Sequence, residues 1–183
     1  MQYNFSNFKT DLKKVEDFLG KGYSQLNIGR ASPMVLDGVS VEQYGARVPL
    51  KNVASVSIED PKTLRIAPWD KSQVKEIEKA LNASNLGLSV ATDDQGIRVI
   101  FPQLTTETRQ TLVKVLKEKL EESRITVRRE RENILEDIET KENDRKMTED
   151  EKFRAKEELQ KIINETNNNL GAVFEKKEKE VMG

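Results

Sequence analysis

The sequence predicts an α+β chain in which an elongated three-helix bundle is interrupted by a small inserted β/α domain. Three observations carry that prediction. All five prolines fall between residues 33 and 102, so both ends lack the residue that removes a helix donor and clashes with the preceding turn. Both proline-free ends space their apolar residues in steps of three and four. Between them, apolar residues alternate or gather in short runs.

The first helix is marked by Phe5, Phe8, Leu12, Val15, Leu19 and Leu26, the narrow stripe of a bundle helix. Asn4 and Ser6 are the candidates to cap its start, Gly20 and Gly22 loosen its later turns, and it is expected to end near Gly29. In the insertion, residues 39–44 alternate toward a turn at Gly45, and residues 53–58 and 64–66 read as strands. Residues 71–83 read as a helix with Val74, Ile77 and Leu81 on one face. Residues 86–90 and 97–101 complete the strands, joined by a turn at residues 93–96.

After Pro102 the helical signature returns. Thr105 and Thr106 offer caps, and Val113, Leu120, Val127 and Ile134 recur every seven residues, with Leu116 and Ile138 alongside, to about Asp144. Thr148, followed three residues later by Glu151, fits a capping box. The last helix carries Phe153, Leu159, Ile163, Thr166, Leu170, Val173 and Val181. A helix with one apolar stripe is not stable alone, so the three are expected to pack together. Residues 1–29 and 105–183 then form the discontinuous bundle and residues 30–104 the insertion.

Composition excludes several chemistries. Charged residues make up 34% of the chain and aromatics 5%, which suits long exposed helices better than one compact globule. Without histidine or cysteine there is no Ser-His-Asp triad, thiolate nucleophile, Cys/His zinc site or disulfide. Gly20-Lys21-Gly22 lacks the spacing of a phosphate-binding loop. The pairs Glu59-Asp60 and Asp93-Asp94 read as turn and surface residues, and Glu149-Asp150-Glu151 as acidic charge at a helix N-terminus. No catalytic residue, cofactor or metal ligand is expected, and a metal-dependent hydrolase would have to be built on those acids. The longest uncharged run, residues 80–92, is too short to span a bilayer, and the N-terminus lacks a signal pattern. A cytoplasmic protein with no membrane partner is expected.

The net charge is −1, so any hold on a polyanion must be local. Residues 109–131 hold eight basic and four acidic residues, whereas residues 132–158 hold six basic and eleven acidic. Arg124, Arg128 and Arg131 fall within about 60° of one another on a helix, with Lys117 one heptad ahead of Arg124. The planar guanidinium fork binds two phosphate oxygens and never deprotonates, so this ridge suits a nucleic-acid backbone. The same spacing also fits arginines that pair with Glu121, Glu132 or bundle neighbours and only solubilise the helix. The interleaved aromatics of a stacking platform are missing from this stretch. Two short crossings, Gly29-Arg30-Ala31-Ser32-Pro33 and Pro102-Gln103-Leu104-Thr105, leave and re-enter the bundle. They fit either a hinge or ordinary helix stop and start signals.

Those residues carry a resemblance. Gly29-Arg-Ala-Ser-Pro33, Leu36-Asp-Gly38, Val41-Glu42 and Tyr44-Gly45, continued by Pro49-Leu50, Ala54-Ser-Val56, Glu59-Asp60 and Thr63-Leu64, resemble the bacterial ribosome recycling factor family. Ala83-Ser84, Leu86-Gly-Leu88, Ile97-Arg-Val99, Pro102, Leu104-Thr105 and Arg124-Ile-Thr-Val-Arg128 with Arg131 extend the likeness along the chain. Asn27-Ile28 and Glu132 stand where the family is more basic. The resemblance implies an L-shaped, two-domain, monomeric protein that binds the large ribosomal subunit after termination. With elongation factor G and that partner's GTP hydrolysis it would split the ribosome, releasing messenger and transfer RNA, with initiation factor three engaged indirectly. Ribosomal RNA contacts are then expected at Arg30, Arg109, Lys117, Arg124, Arg128 and Arg131, and a hinge at Gly29, Arg30, Ala31, Ser32, Pro33, Pro102, Gln103, Leu104 and Thr105. A self-associating coiled-coil protein is the competing class, although it leaves the inserted domain without a purpose.

Overall fold

Asn4 turns its side chain back to accept the backbone N–H of Ser6 at 2.9 Å, and helix α1, Ser6–Ser24, runs on from there. The structure is a computed structural model that describes residues 3–183. Phe8, Leu12, Leu19 and Tyr23 form the buried stripe of α1. The helix stops five residues short of Gly29, the end expected from periodicity. The Asn27 side chain accepts the Gly29 N–H at 2.9 Å and donates to the Leu86 carbonyl at 3.0 Å, holding this stretch in a turn that a helix would forbid. Leu26 lies beyond the helix and takes no part in its stripe.

The chain divides into two compact units, Met1–Tyr23 with Gln110–Gly183, and Ser24–Arg109. The first contains most of three helices: α1, α3 (Thr106–Asn143) and α4 (Glu149–Met182). The Thr105 hydroxyl accepts the Thr108 N–H at the start of α3. The capping box at Thr148 and Glu151 is complete: each side chain takes the other residue's backbone N–H. Tyr23 on α1 meets Leu116 on α3, and the N-terminal Tyr3 meets Asp137, so α1 runs antiparallel to α3. Lys156 meets Glu139 at 3.0 Å, which sets α4 antiparallel to α3. Glu16 meets Asn169 and Lys9 meets Glu158, which sets α4 parallel to α1.

The apolar stripes close on one another as a three-helix core of Leu12, Leu19, Leu116, Leu120, Val127, Ile138, Leu159, Ile163 and Leu170, all buried. Phe153 departs from the expected stripe, with 64% of its surface exposed, while Ala155 and Ile162 are buried in the seam. Helix arithmetic explains the exchange: Phe153 lies about 120° around α4 from Leu159, and Ala155 about 40°.

The second unit holds the two-stranded hairpin β1 (Ser40–Gln43) and β2 (Ala46–Pro49), and an antiparallel sheet of β3 (Ala54–Asp60), β4 (Thr63–Pro68), β5 (Ser89–Asp93) and β6 (Gly96–Ile100). Strand order in the sheet is β3-β4-β6-β5. Helix α2, Val74–Ala83, packs on β1 and β5, burying Ile77 and Leu81. With Leu64, Ile66, Ile97, Val99 and Phe101 these make the core of the unit. Strand β2 has no counterpart in the alternation of the sequence, because none of its four residues is fully buried. Across the sheet, Arg65 and Arg98 on the two inner strands each engage both Glu59 on β3 and Asp93 on β5. These contacts hold both carboxyls below the usual carboxylate range, Glu59 chiefly through Arg98 and Asp93 chiefly through Arg65.

Candidate nucleic-acid interface

Helix α3 is continuous through residues 117–131, so the 3.6-residue period fixes where its cations point. Lys117, Arg124, Arg128 and Arg131 share an arc of about 60° and extend about 21 Å along the axis. Lys117, Arg124 and Arg128 are exposed. Arg131 is half-buried, because it borders the buried stripe that includes Val127. Among the described residues, none of the four has a carboxylate within 4.0 Å, although Glu121 and Glu132 lie on the same helix. Arg129, on the other side of α3, reaches Glu130 at 3.8 Å.

The acidic half of the bundle behaves differently. Lys141 is held by Asp137 at 2.6 Å, Lys156 by Glu139 at 3.0 Å, and Lys152 by Glu142. Asp137 is held below its ordinary range, first by Lys141 and next by the Tyr3 hydroxyl. Those three lysines are therefore engaged within the protein. Among the described residues the donors of the ridge meet no carboxylate, which leaves them open to an outside anion.

The remaining expected contact residues belong to the second unit. Arg30 is exposed in the segment before the short 3-10 turn Pro33–Leu36, and Arg109 is half-buried in the first turn of α3. Gly29, Arg30, Ala31, Ser32, Pro33, Pro102, Gln103, Leu104 and Thr105 all lie in that same unit. Gly29 adopts φ +76°, and a Cβ there would stand 3.2 Å from the Pro102 carbonyl oxygen and 3.4 Å from Leu104. Ala31 N–H donates to the Pro61 carbonyl at 2.9 Å. The two crossings are thus packed together where they run through the unit.

One residue behind the ridge escapes sequence reasoning. Tyr23 is buried, and its hydroxyl donates to the Leu116 carbonyl at 2.7 Å, one residue before Lys117. Its spacing in α1 marks it as interior, but a carbonyl acceptor 93 residues away leaves no local signal. Among the described residues no group of three or more acids is arranged to hold a metal ion, and no helix is long and apolar enough to cross a membrane.

Comparison with known proteins gives one consistent answer. A family model described as ribosome recycling factor matches residues 19–182. The ribosome-recycling factor of Symbiobacterium thermophilum is 41% identical over 171 residues, covering 93% of this chain and 92% of that protein. That of Thermotoga maritima is 41% identical over 174 residues, covering 95% and 92%. A solution structure of the ribosome recycling factor superposes with a TM-score of 0.74 at 35% identity, covering 97% of this chain and 95% of that one. The T. thermophilus factor, placed with E. coli elongation factor G on the E. coli post-termination complex, gives a TM-score of 0.65 at 35% identity, covering 98% and 97%. With an α+β fold, a family match over most of its length and relatives near 40% identity, this chain belongs to the ribosome recycling factor family.

Proposed function

We propose that this chain recycles ribosomes after termination. It binds the post-termination ribosome as a monomer in the cytoplasm and, with elongation factor G, promotes subunit splitting and release of messenger and transfer RNA, with initiation factor three engaged indirectly. The chain is not itself an enzyme: elongation factor G hydrolyses the GTP. Residues 1–29 and 105–183 act as the bundle domain and residues 30–104 as the inserted domain, with residues 29–33 and 102–105 as the hinge between them. Lys117, Arg124, Arg128 and Arg131, together with Arg30 and Arg109, meet ribosomal RNA on the large subunit.

The observation that supports this assignment of contacts is the ridge itself, four cations on one side of α3 with no carboxylate within 4.0 Å among the described residues. A row about 21 Å long meets several phosphates of a folded RNA, and the released counterions supply much of the binding free energy. The test is subunit splitting followed by light scattering on post-termination complexes. Splitting should require this protein, elongation factor G and GTP together. Intact particles after incubation with all three would overturn the proposal.

A further inference from the structure

The two-residue turn that joins β1 to β2 is built with an unfavourable residue. Gln43 pairs with Ala46, leaving Tyr44 at φ 51° and Gly45 at φ 80°, the two left-handed values of a type I′ hairpin turn. Asn or Asp serves the first of these positions because its short side chain tolerates the left-handed region, and a bulky aromatic side chain does not. Among the described residues no side-chain hydrogen bond or ring contact holds Tyr44 in place. The Tyr44 side chain is 86% exposed, more than any other large apolar side chain among the described residues.

The hairpin end provides one further group. Arg47 is exposed and stands opposite Glu42 in the strand register, yet the two form no ion pair within 4.0 Å. Its neighbours Gln43 and Ala46 add little apolar surface, so the tip lacks the hydrophobic centre that a protein interface needs. A lone projecting ring beside an unengaged guanidinium matches the two parts of an unpaired nucleotide, a π-face and a phosphate.

We propose that Tyr44 is a base-stacking contact, held out by the strained β1–β2 turn to lie against an unpaired base of ribosomal RNA, with Arg47 on the flanking phosphate. This rests on the ribosomal role given under Proposed function. A strained aromatic that packs on nothing in the protein is positioned for a face supplied from outside.

The experiment uses the full chain and intact post-termination ribosomes. Tyr44→Asn relieves the backbone and removes the ring, whereas Tyr44→Trp keeps a stacking face. Tyr44→Asn should melt at or above the wild-type temperature yet bind ribosomes roughly tenfold more weakly. A base shielded from chemical modification by the wild-type protein should become reactive with Tyr44→Asn and be shielded again with Tyr44→Trp. Wild-type affinity and footprint in Tyr44→Asn would overturn the inference and leave the recycling role intact. So would a photoreactive side chain at position 44 that crosslinks only to ribosomal protein. A wild-type chain that fails to bind would instead sink the recycling role and this contact together.

Discussion

The Tyr23 hydroxyl donates a 2.7 Å hydrogen bond to the backbone carbonyl of Leu116, joining the last turns of α1 to α3. A carbonyl carries two lone pairs, so this bond adds to the helical one. Tyr23→Phe should cost about 1 kcal/mol, the net worth of a buried hydrogen bond. Burial pushes the Tyr23 phenol up to about 12 from its ordinary 10, against the opposing pull of Arg124. A raised phenol favours the neutral form in the folded state. Its stabilisation is therefore complete below pH 10 and is lost as pH climbs to 12. The difference in melting temperature between wild type and Tyr23→Phe should shrink and then change sign across that window, and a constant difference would refute the assignment.

Arg131→Ala should weaken ribosome binding and make the salt dependence shallower by about one counterion. Stability should change by no more than about 0.5 kcal/mol, because a half-buried cation without an internal partner contributes little to the fold. Arg129→Ala is the matched control, since Arg129 faces away from the ridge and sits beside Glu130. Equal salt slopes for wild type and Arg131→Ala, measured by titrating ribosome binding from low to moderate ionic strength, would remove Arg131 from the contact.

Two glycines make opposite predictions. A Cβ at Gly171, inside α4, would meet nothing within 4 Å, so Gly171→Ala should stabilise by about 1 kcal/mol, near 2–4 °C in melting temperature. At Gly96, φ is +135° and a Cβ would stand 2.3 Å from the Ile66 carbonyl oxygen. Gly96→Ala should cost about 2–4 kcal/mol by forcing β6 away from β4. Thermal unfolding of both variants checks the pair.

Thr148→Ala removes the hydroxyl that receives the Glu151 N–H at 3.3 Å and leaves a helical donor without its cap. A loss of about 1 kcal/mol is expected. Thr148→Ser should recover most of it, which calorimetry can measure.

The bundle was legible because its signals are local. The capping box needs only Thr148 and Glu151, and seven-residue spacing finds Leu120 and Val127 without reference to any other part of the chain. Phe153 falls outside the seam because it lies about 120° around α4 from Leu159, an offset that steps of three and four do not reveal when one step is missed. The end of α1 was not legible, since it depends on Asn27 reaching the carbonyl of Leu86, 59 residues along the chain. Strand β2 was hidden for a similar reason: its pairing with β1 comes from the turn at Tyr44 and Gly45, not from burial of its own residues. At the candidate interface, residue types and helical phase could be read directly. Which arginines lack a carboxylate neighbour depends on side-chain reach and needed the folded chain.

The charge pattern across the four-stranded sheet has a consequence for behaviour in concentrated solution. Reading β3, β4, β6, β5, the side chains Glu59, Arg65, Arg98 and Asp93 run negative, positive, positive, negative. Both borders thus bear ionised carboxylates, tethered inward by guanidinium groups. A second molecule approaching strand to strand would bring like charge against like charge along each border. Intermolecular sheet growth is opposed at both of its possible starting points.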